Sequence, residues 1–179
     1  KFRAARRIWA RLMRERYGAQ NPETMKLKIF AYTLGGNLVA QQPLNNIARV
    51  AIETLAAVLG GVQTIATSSY DEAFAIPTEE AATIALRTQQ IVANEAGVTG
   101  TVDALGGSYA IESLTATIER EVFEYLDKIE VLGGAVRCIE EGFYDRELSE
   151  AAYRYQRQIE TNERIVVAID EHLGARGVA

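Results

Sequence analysis

Cysteine and histidine are almost missing from this sequence: one of each stands among 179 residues, beside a single tryptophan and three prolines. One cysteine forms no internal disulfide, which fits a reducing compartment such as the cytoplasm. One histidine leaves too few ligands for most zinc sites, and with one Cys the nucleophile–base pairs of hydrolytic enzymes nearly vanish. No apolar run is long enough to cross a bilayer, and no signal-peptide pattern opens the chain. Positive charge is outnumbered, 19 Lys and Arg against 24 Asp and Glu for a net −5, which argues against a nucleic-acid partner. What is present is apolar mass, 48% of residues, over a length that supports a core, so the composition argues against disorder. Chemistry here has to come from a cofactor, or from the rest of a larger site.

Residues 2–17 place Phe2, Ala5, Trp9, Leu12 and Met13 at helical spacing, with six arginines between them; a solvated helix face is the ordinary cause of such a run. Leu27–Thr33 is short and β-rich, and Gly35-Gly36 follows it, so it reads as a strand. Asn45 or Asn46 is placed to cap a helix whose Ile47, Val50, Ala51, Leu55 and Val58 share a face, and Gly60-Gly61 ends it. Val62–Thr67 reads as a second strand. Thr78 caps a third helix with Ala82, Ala85, Ile91 and Val92 inward, and Thr99–Asp103 reads as a third strand. A long helix carries Leu114, Ile118, Val122, Tyr125, Ile129 and Leu132, and two more helical pieces follow near 135–141 and 146–163.

Alternating helices and strands imply an α/β fold with a parallel sheet of βα units. The strand starts Leu27, Val62 and Thr99 are 35 and 37 residues apart, a repeat that suits a (β/α)8 TIM-type barrel. Three strands cannot close one. The expectation is therefore the last βα units of a larger barrel over residues 1–132, with a helical extension and linker over 133–179; an open doubly wound sheet is the structural rival.

In a barrel the working face lies at the C-terminal ends of the strands. Those ends are Thr33–Gly36, Thr67–Glu72 and Asp103–Ser108, all rich in glycine and small polar residues, which let a large ligand approach the backbone. Asp71 and Glu72 are the acidic pair there. They read either as caps of the next segment or as acceptors for ribose or amide groups of a ligand. No phosphate loop or dinucleotide fingerprint is present.

Four stretches, in order, carry a resemblance: Phe2-Arg3-Ala4-Ala5-Arg6-Arg7-Ile8-Trp9-Ala10, Ala40-Gln41-Gln42-Pro43-Leu44-Asn45-Asn46-Ile47, Tyr70-Asp71-Glu72-Ala73 and Asp103-Ala104-Leu105-Gly106-Gly107-Ser108-Tyr109. Together they resemble the acyl-CoA mutases that depend on adenosylcobalamin. The resemblance implies a radical carbon-skeleton rearrangement of an acyl-CoA by an isomerase, in which the cofactor does the difficult step and the protein excludes water. It also implies partners: the remaining N-terminal part of the barrel, on the same or a separate chain, a cobalamin-binding domain or subunit, and assembly as a dimer or hetero-oligomer. These residues alone are then expected to be inactive.

Carried over position by position, the resemblance implies that Glu72 lies beside the cobalamin and its adenosyl ribose, with Ala73 and Ile76 along the corrin. The family's Arg-x-His-x-Gln strand is replaced by Lys28, Phe30 and Tyr32, with Lys28 and Phe30 on the substrate side and Tyr32 at the cofactor position. Phe30 makes no hydrogen bond, and Tyr32 is larger than Gln with a hydroxyl at its tip. A second histidine position, in the family's Ser-Leu-His-Thr-Asn, is Ala66 here. Either the site is retuned for a bulkier or less polar acyl group, or the chain is a diverged non-catalytic barrel subunit with a structural or interaction role. No metal ligand is expected: Asp170-Glu171-His172 resembles the start of the family's cobalt-ligand motif, but Ala175 stands where glycine is required, which leaves His172 an exposed tail residue. Cys138 reads as a buried small apolar residue, and Tyr153, Tyr155 and Ile159 as packing against the barrel or a partner.

Overall fold

The structure is a computed structural model that describes residues 1–169. His172 and the tail motif around it lie outside the described residues. The arginine-rich opening folds as α1 (Phe2–Glu15), with Ala4 and Ile8 buried. Its arginines are not simply a solvated face. Arg3 reaches Asp103 at 2.5 Å and Glu112 at 2.6 Å, and Arg7 reaches Glu119 at 2.7 Å. Arg6 donates to the carbonyls of Gly60 (2.8 Å) and Gly61 (2.9 Å), at the C-terminal end of α2 (Asn45–Leu59), where orphan carbonyls and the helix dipole favour a cation.

Two strands pair in parallel: β1 (Phe30–Tyr32) and β2 (Thr64–Ala66), in the register Phe30–Thr64, Ala31–Ile65, Tyr32–Ala66. Side chains alternate across a strand, so Phe30 and Tyr32 share one face while Ala31, 8% exposed, points the other way. Gln63 leads the pair in, since its amide oxygen accepts from the Ile29 N–H at 2.7 Å. At the other end the Thr33 N–H donates to the Ala66 carbonyl, Ser68 N–H donates to Thr33 Oγ1 at 2.7 Å, and Ser68 Oγ donates to the Thr33 carbonyl. Side chains thus continue the ladder where backbone pairing stops.

The expected third strand is not formed. Val98–Gly100 is a 3-10 turn, and Thr101 is extended (φ −142°, ψ 140°) but has no neighbouring strand, with Val102 fully exposed beside it. β-propensity needs a pairing edge and a packed face to become a strand, and neither is supplied here.

In α2 the buried residues are Asn46, Val50, Thr54 and Ala57, one turn-face away from the purely apolar stripe the sequence indicates. Neither Asn45 nor Asn46 caps this helix; Leu44 holds the cap position without a side-chain bond. α3 (Glu79–Asn94) is capped as expected, with Thr78 Oγ1 accepting from the Ala81 N–H. It buries Ala81, Ala85, Thr88 and Val92, whereas Ala82 and Ile91 face out. α2 packs on α3, and Thr67 ties the sheet to α3 by donating to the Ala85 carbonyl at 2.8 Å.

The chain divides into two compact units, the first Lys1–Arg120 and the second starting at Glu121. α4 (Tyr109–Val131) begins in the first and ends in the second. Gly133 and Gly134, both at positive φ, turn the chain into α5 (Ala135–Glu140), and α6 (Phe143–Glu160) follows. The second unit buries Cys138 and Phe143, with the Tyr125 and Phe143 rings 5.8 Å apart. Tyr153, 68% exposed, does not pack inward there. The described fold is mixed α/β, mostly helical around a small parallel sheet. No described helix is long and apolar enough to cross a membrane.

Candidate functional site

The strand pair delivers two side chains to one point. Tyr32 ends β1 with its ring half exposed, and its hydroxyl lies 3.0 Å from Glu72 Oε2 and 3.1 Å from Oε1. Glu72 closes a turn, its N–H donating to the Ser69 carbonyl at 3.1 Å, while its Oε1 accepts from the Ser69 N–H at 2.7 Å. The carboxylate is therefore held by a phenol and a backbone amide. Burial pushes the Tyr32 phenol above its ordinary value; the Ser68 hydroxyl opposes that shift and the Glu72 charge adds to it. Tyr32 stays protonated, and a donor, at neutral pH.

The neighbouring acid has a different task. Asp71 is 3% exposed, and its Oδ2 accepts from the Thr78 N–H at 2.9 Å, ahead of α3. The capping alternative fits Asp71, and the ligand-facing one fits Glu72. Asp71 Oδ1 is buried without a partner.

Ala73 is half buried beside Glu72, and Ile76 is 90% exposed. Phe74, Leu34 and Leu44 are also largely exposed around these turns. Gly35 belongs to a 3-10 turn directly after β1, and a Cβ there would meet Glu72 Oε2 at 3.9 Å, so the ends of β1 and β2 adjoin. Phe30, 64% exposed, shares Tyr32's strand face with Thr64 and Ala66 as its neighbours. Lys28 is four residues, about 13 Å, back along the chain from Tyr32. It lines a separate hollow with Arg6, Glu23 and Gln63. Among the described contacts, only Tyr32 and Glu72 of the six candidates are bonded to one another. Of the third expected strand end, Asp103 is engaged by Arg3, and Leu105 lines a cleft that Tyr32 and Leu34 also line.

Beside β1, a mostly apolar cleft of about 450 Å3 opens between α1, α2 and the start of α4. Tyr32, Leu34, Glu53 and Leu114 are among its lining residues, and Glu53 Oε2 and Arg3 Nε are buried near it without partners. Among the described residues no group of three or more His, Cys, Asp or Glu side chains is arranged to hold a metal ion.

The methylmalonyl-CoA mutase family profile matches residues 1–176. The chain belongs to the methylmalonyl-CoA mutase family. It is 44% identical over 170 residues to the 2-hydroxyisobutanoyl-CoA mutase large subunit of Aquincola tertiaricarbonis, an alignment that covers 95% of the chain and 30% of the relative. It is 40% identical over 172 residues to methylmalonyl-CoA mutase of Rhizobium meliloti, covering 96% and 24%, and 37% identical over 172 residues to the human mitochondrial enzyme, covering 96% and 23%. The chain therefore spans less than a third of the length of these relatives. Mutases of this family are isomerases. Gln63, Ser69 and the Thr33–Ser68 pair are structural parts of the site region for which the sequence suggests no partner, and Asn46, expected as a cap, bonds to Val39 and Tyr70 instead. A polar residue at a strand boundary is the signal for Gln63 and the Thr33–Ser68 pair; nothing local distinguishes the other two.

Proposed function

We propose that residues 1–132 form the last βα units of a TIM-type mutase barrel and residues 133–179 a helical extension and linker. In this reading they belong to an adenosylcobalamin-dependent acyl-CoA mutase. The observation that carries it is the Tyr32–Glu72 pair at the C-terminal ends of two parallel strands, where barrel enzymes place their chemistry. The residues fit a large, flat, amide-rimmed cofactor. A carboxylate held by two donors keeps acceptor capacity free, a phenol oxygen adds another acceptor, and exposed Ile76, Phe74 and Leu34 offer an apolar border. When bound, adenosylcobalamin supplies the hydrogen-abstracting radical.

On this reading Glu72 and Tyr32 meet the polar groups of the cofactor, and Ala73 and Ile76 lie along its ring. Phe30 and Lys28 face the acyl-CoA. Phe30 and Ala66, where the family resemblance leads one to expect histidine, leave this wall without those two donors, which favours an acyl group that is less polar there. A relative named a large subunit is in keeping with a separate cobalamin-binding subunit, and the fraction of the relatives spanned supports further domains or partners, among which we place the N-terminal part of the barrel. The chain alone is expected to be inactive, and the assembly to be a dimer or hetero-oligomer in the cytoplasm.

The two lost histidine positions favour one second reading, a diverged barrel subunit without chemistry. Titrating the complete protein with adenosylcobalamin, followed by a panel of acyl-CoA thioesters, separates the two. Binding that weakens about tenfold or more in Glu72→Gln, with turnover of at least one thioester, supports the mutase. No binding and no turnover selects the second reading.

A further inference from the structure

Asn46 is fully buried, yet it is polar, sits in the first turn of α2 and caps nothing. All its hydrogen-bonding capacity is directed elsewhere. Its Oδ1 accepts from the Val39 N–H at 3.0 Å and from Arg49 Nη1 at 2.8 Å. Its Nδ2 donates to the Val39 carbonyl and to the Tyr70 carbonyl, both at 2.9 Å. One amide thus fastens the loop that leaves β1 to the loop that leaves β2.

The Tyr70 carbonyl belongs to the central peptide of the turn whose ends are Ser69 and Glu72. A turn of this kind changes type by flipping that peptide, and the flipped form puts the following residue at positive φ. Asp71 is not at positive φ, and its carboxyl is already fixed on the Thr78 N–H. The bond from Asn46 to the Tyr70 oxygen opposes the flip from the outside. The same turn supplies the Ser69 N–H that holds Glu72 Oε1. We propose that Asn46 is a positioning residue for Glu72, holding the 69–72 turn in the one form that presents the carboxylate to Tyr32 and to the bound cofactor. This rests on the reading of Glu72 as cofactor-facing.

The test uses the complete mutase with its cobalamin-binding part. Asn46→Ser leaves space for a water to bridge the three backbone groups, and Asn46→Asp keeps the acceptor but removes the donor. Thr54→Ala is the control: Thr54 is 1% exposed on the same helix, and its hydroxyl bonds within that helix, to the Val50 carbonyl. Without cofactor, hydrogen exchange at the Ser69 amide reads the Ser69–Glu72 bond directly. Both Asn46 variants are expected to speed exchange over 69–72 selectively, and Thr54→Ala is not. With adenosylcobalamin followed by visible absorbance, each Asn46 variant is expected to weaken binding about tenfold, an effect that disappears when Glu72→Gln is already present.

Unchanged exchange over 69–72, an equal loss of affinity with and without Glu72→Gln, or failure of both Asn46 variants to fold overturns the proposal and leaves Asn46 a purely structural residue. Unchanged affinity in Glu72→Gln alone overturns the cofactor-facing reading of Glu72 instead. The exchange result then still decides whether Asn46 holds the turn.

Discussion

A phenol 3.0 Å from a carboxylate oxygen stays a donor for as long as it keeps its proton. The Tyr32 phenol is pushed upward, by burial first, with Glu72 adding to the shift and Ser68 opposing it. A raised value in the folded state means that the associated stability is fully present below the ordinary tyrosine value and is lost as pH rises through the raised one. Tyr32→Phe is therefore expected to cost about 1 kcal/mol or less at neutral pH, because the pair is partly solvated. The gap between wild type and variant should hold to about pH 9 and shrink above about pH 10. Urea unfolding across this range checks it, and a gap that widens with alkalinity would refute the assignment of Tyr32 as donor. A second residue-scale prediction concerns Gly61. It sits at φ +76°, and a Cβ there would come within 2.9 Å of the Arg6 guanidinium that holds the end of α2. Gly61→Ala should destabilise by about 1–2 kcal/mol through backbone strain and loss of that clamp. The same unfolding experiment reads it, and a stability within a few tenths of wild type would show that the clamp does little.

At the scale of elements, α3 is where sequence and structure agree most closely. Thr78 after Pro77 announces a cap, and the hydroxyl accepts from Ala81. Thr78→Ala should cost about 1 kcal/mol, with faster hydrogen exchange in the first turn of α3 and not in its middle. The helices are legible because periodicity is a local signal, and α1, α2 and α4 lie where it puts them, although the expected cap of α2 is not made and its buried face is displaced by one position. The strands are less so. Leu27–Thr33 and Val62–Thr67 shorten to three paired residues each, with Gln63, Thr33 and Ser68 side chains taking over at the ends. Thr99–Asp103 has the composition of a strand but no edge to pair with. The site is half legible. Glu72 is marked by its place after a strand and, like Tyr32, by the family resemblance, but that the two bond follows only from parallel register. Asn46 looked like a cap because its neighbours in sequence are helical. Its partners Val39 and Tyr70 are 7 and 24 residues away, beyond any local rule.

At the scale of the molecule, the poverty in cysteine and histidine fits the proposed reading, apart from the two positions, Phe30 and Ala66, where the resemblance leads one to expect histidine. A cofactor-driven isomerase needs walls, glycines and a few well-held polar groups more than it needs nucleophiles. The chain spans less than a third of each compared relative, and in the first unit Phe30, Tyr32, Leu34, Phe74 and Ile76 remain largely exposed. A contiguous exposed apolar face of this kind marks an interaction surface, which is compatible with the proposed barrel reading. The central claim is that Glu72, held by Tyr32, is part of an adenosylcobalamin site in a working acyl-CoA mutase. It is tested most directly by reconstituting the complete protein, wild type and Glu72→Gln, with adenosylcobalamin and following conversion of an acyl-CoA panel by mass spectrometry. The account predicts cofactor-dependent isomerisation of at least one thioester by the wild type, with affinity for the cofactor falling about tenfold or more in the variant. Equal cofactor binding by the two proteins, or no isomerisation of any thioester by a cofactor-loaded wild type, would contradict it.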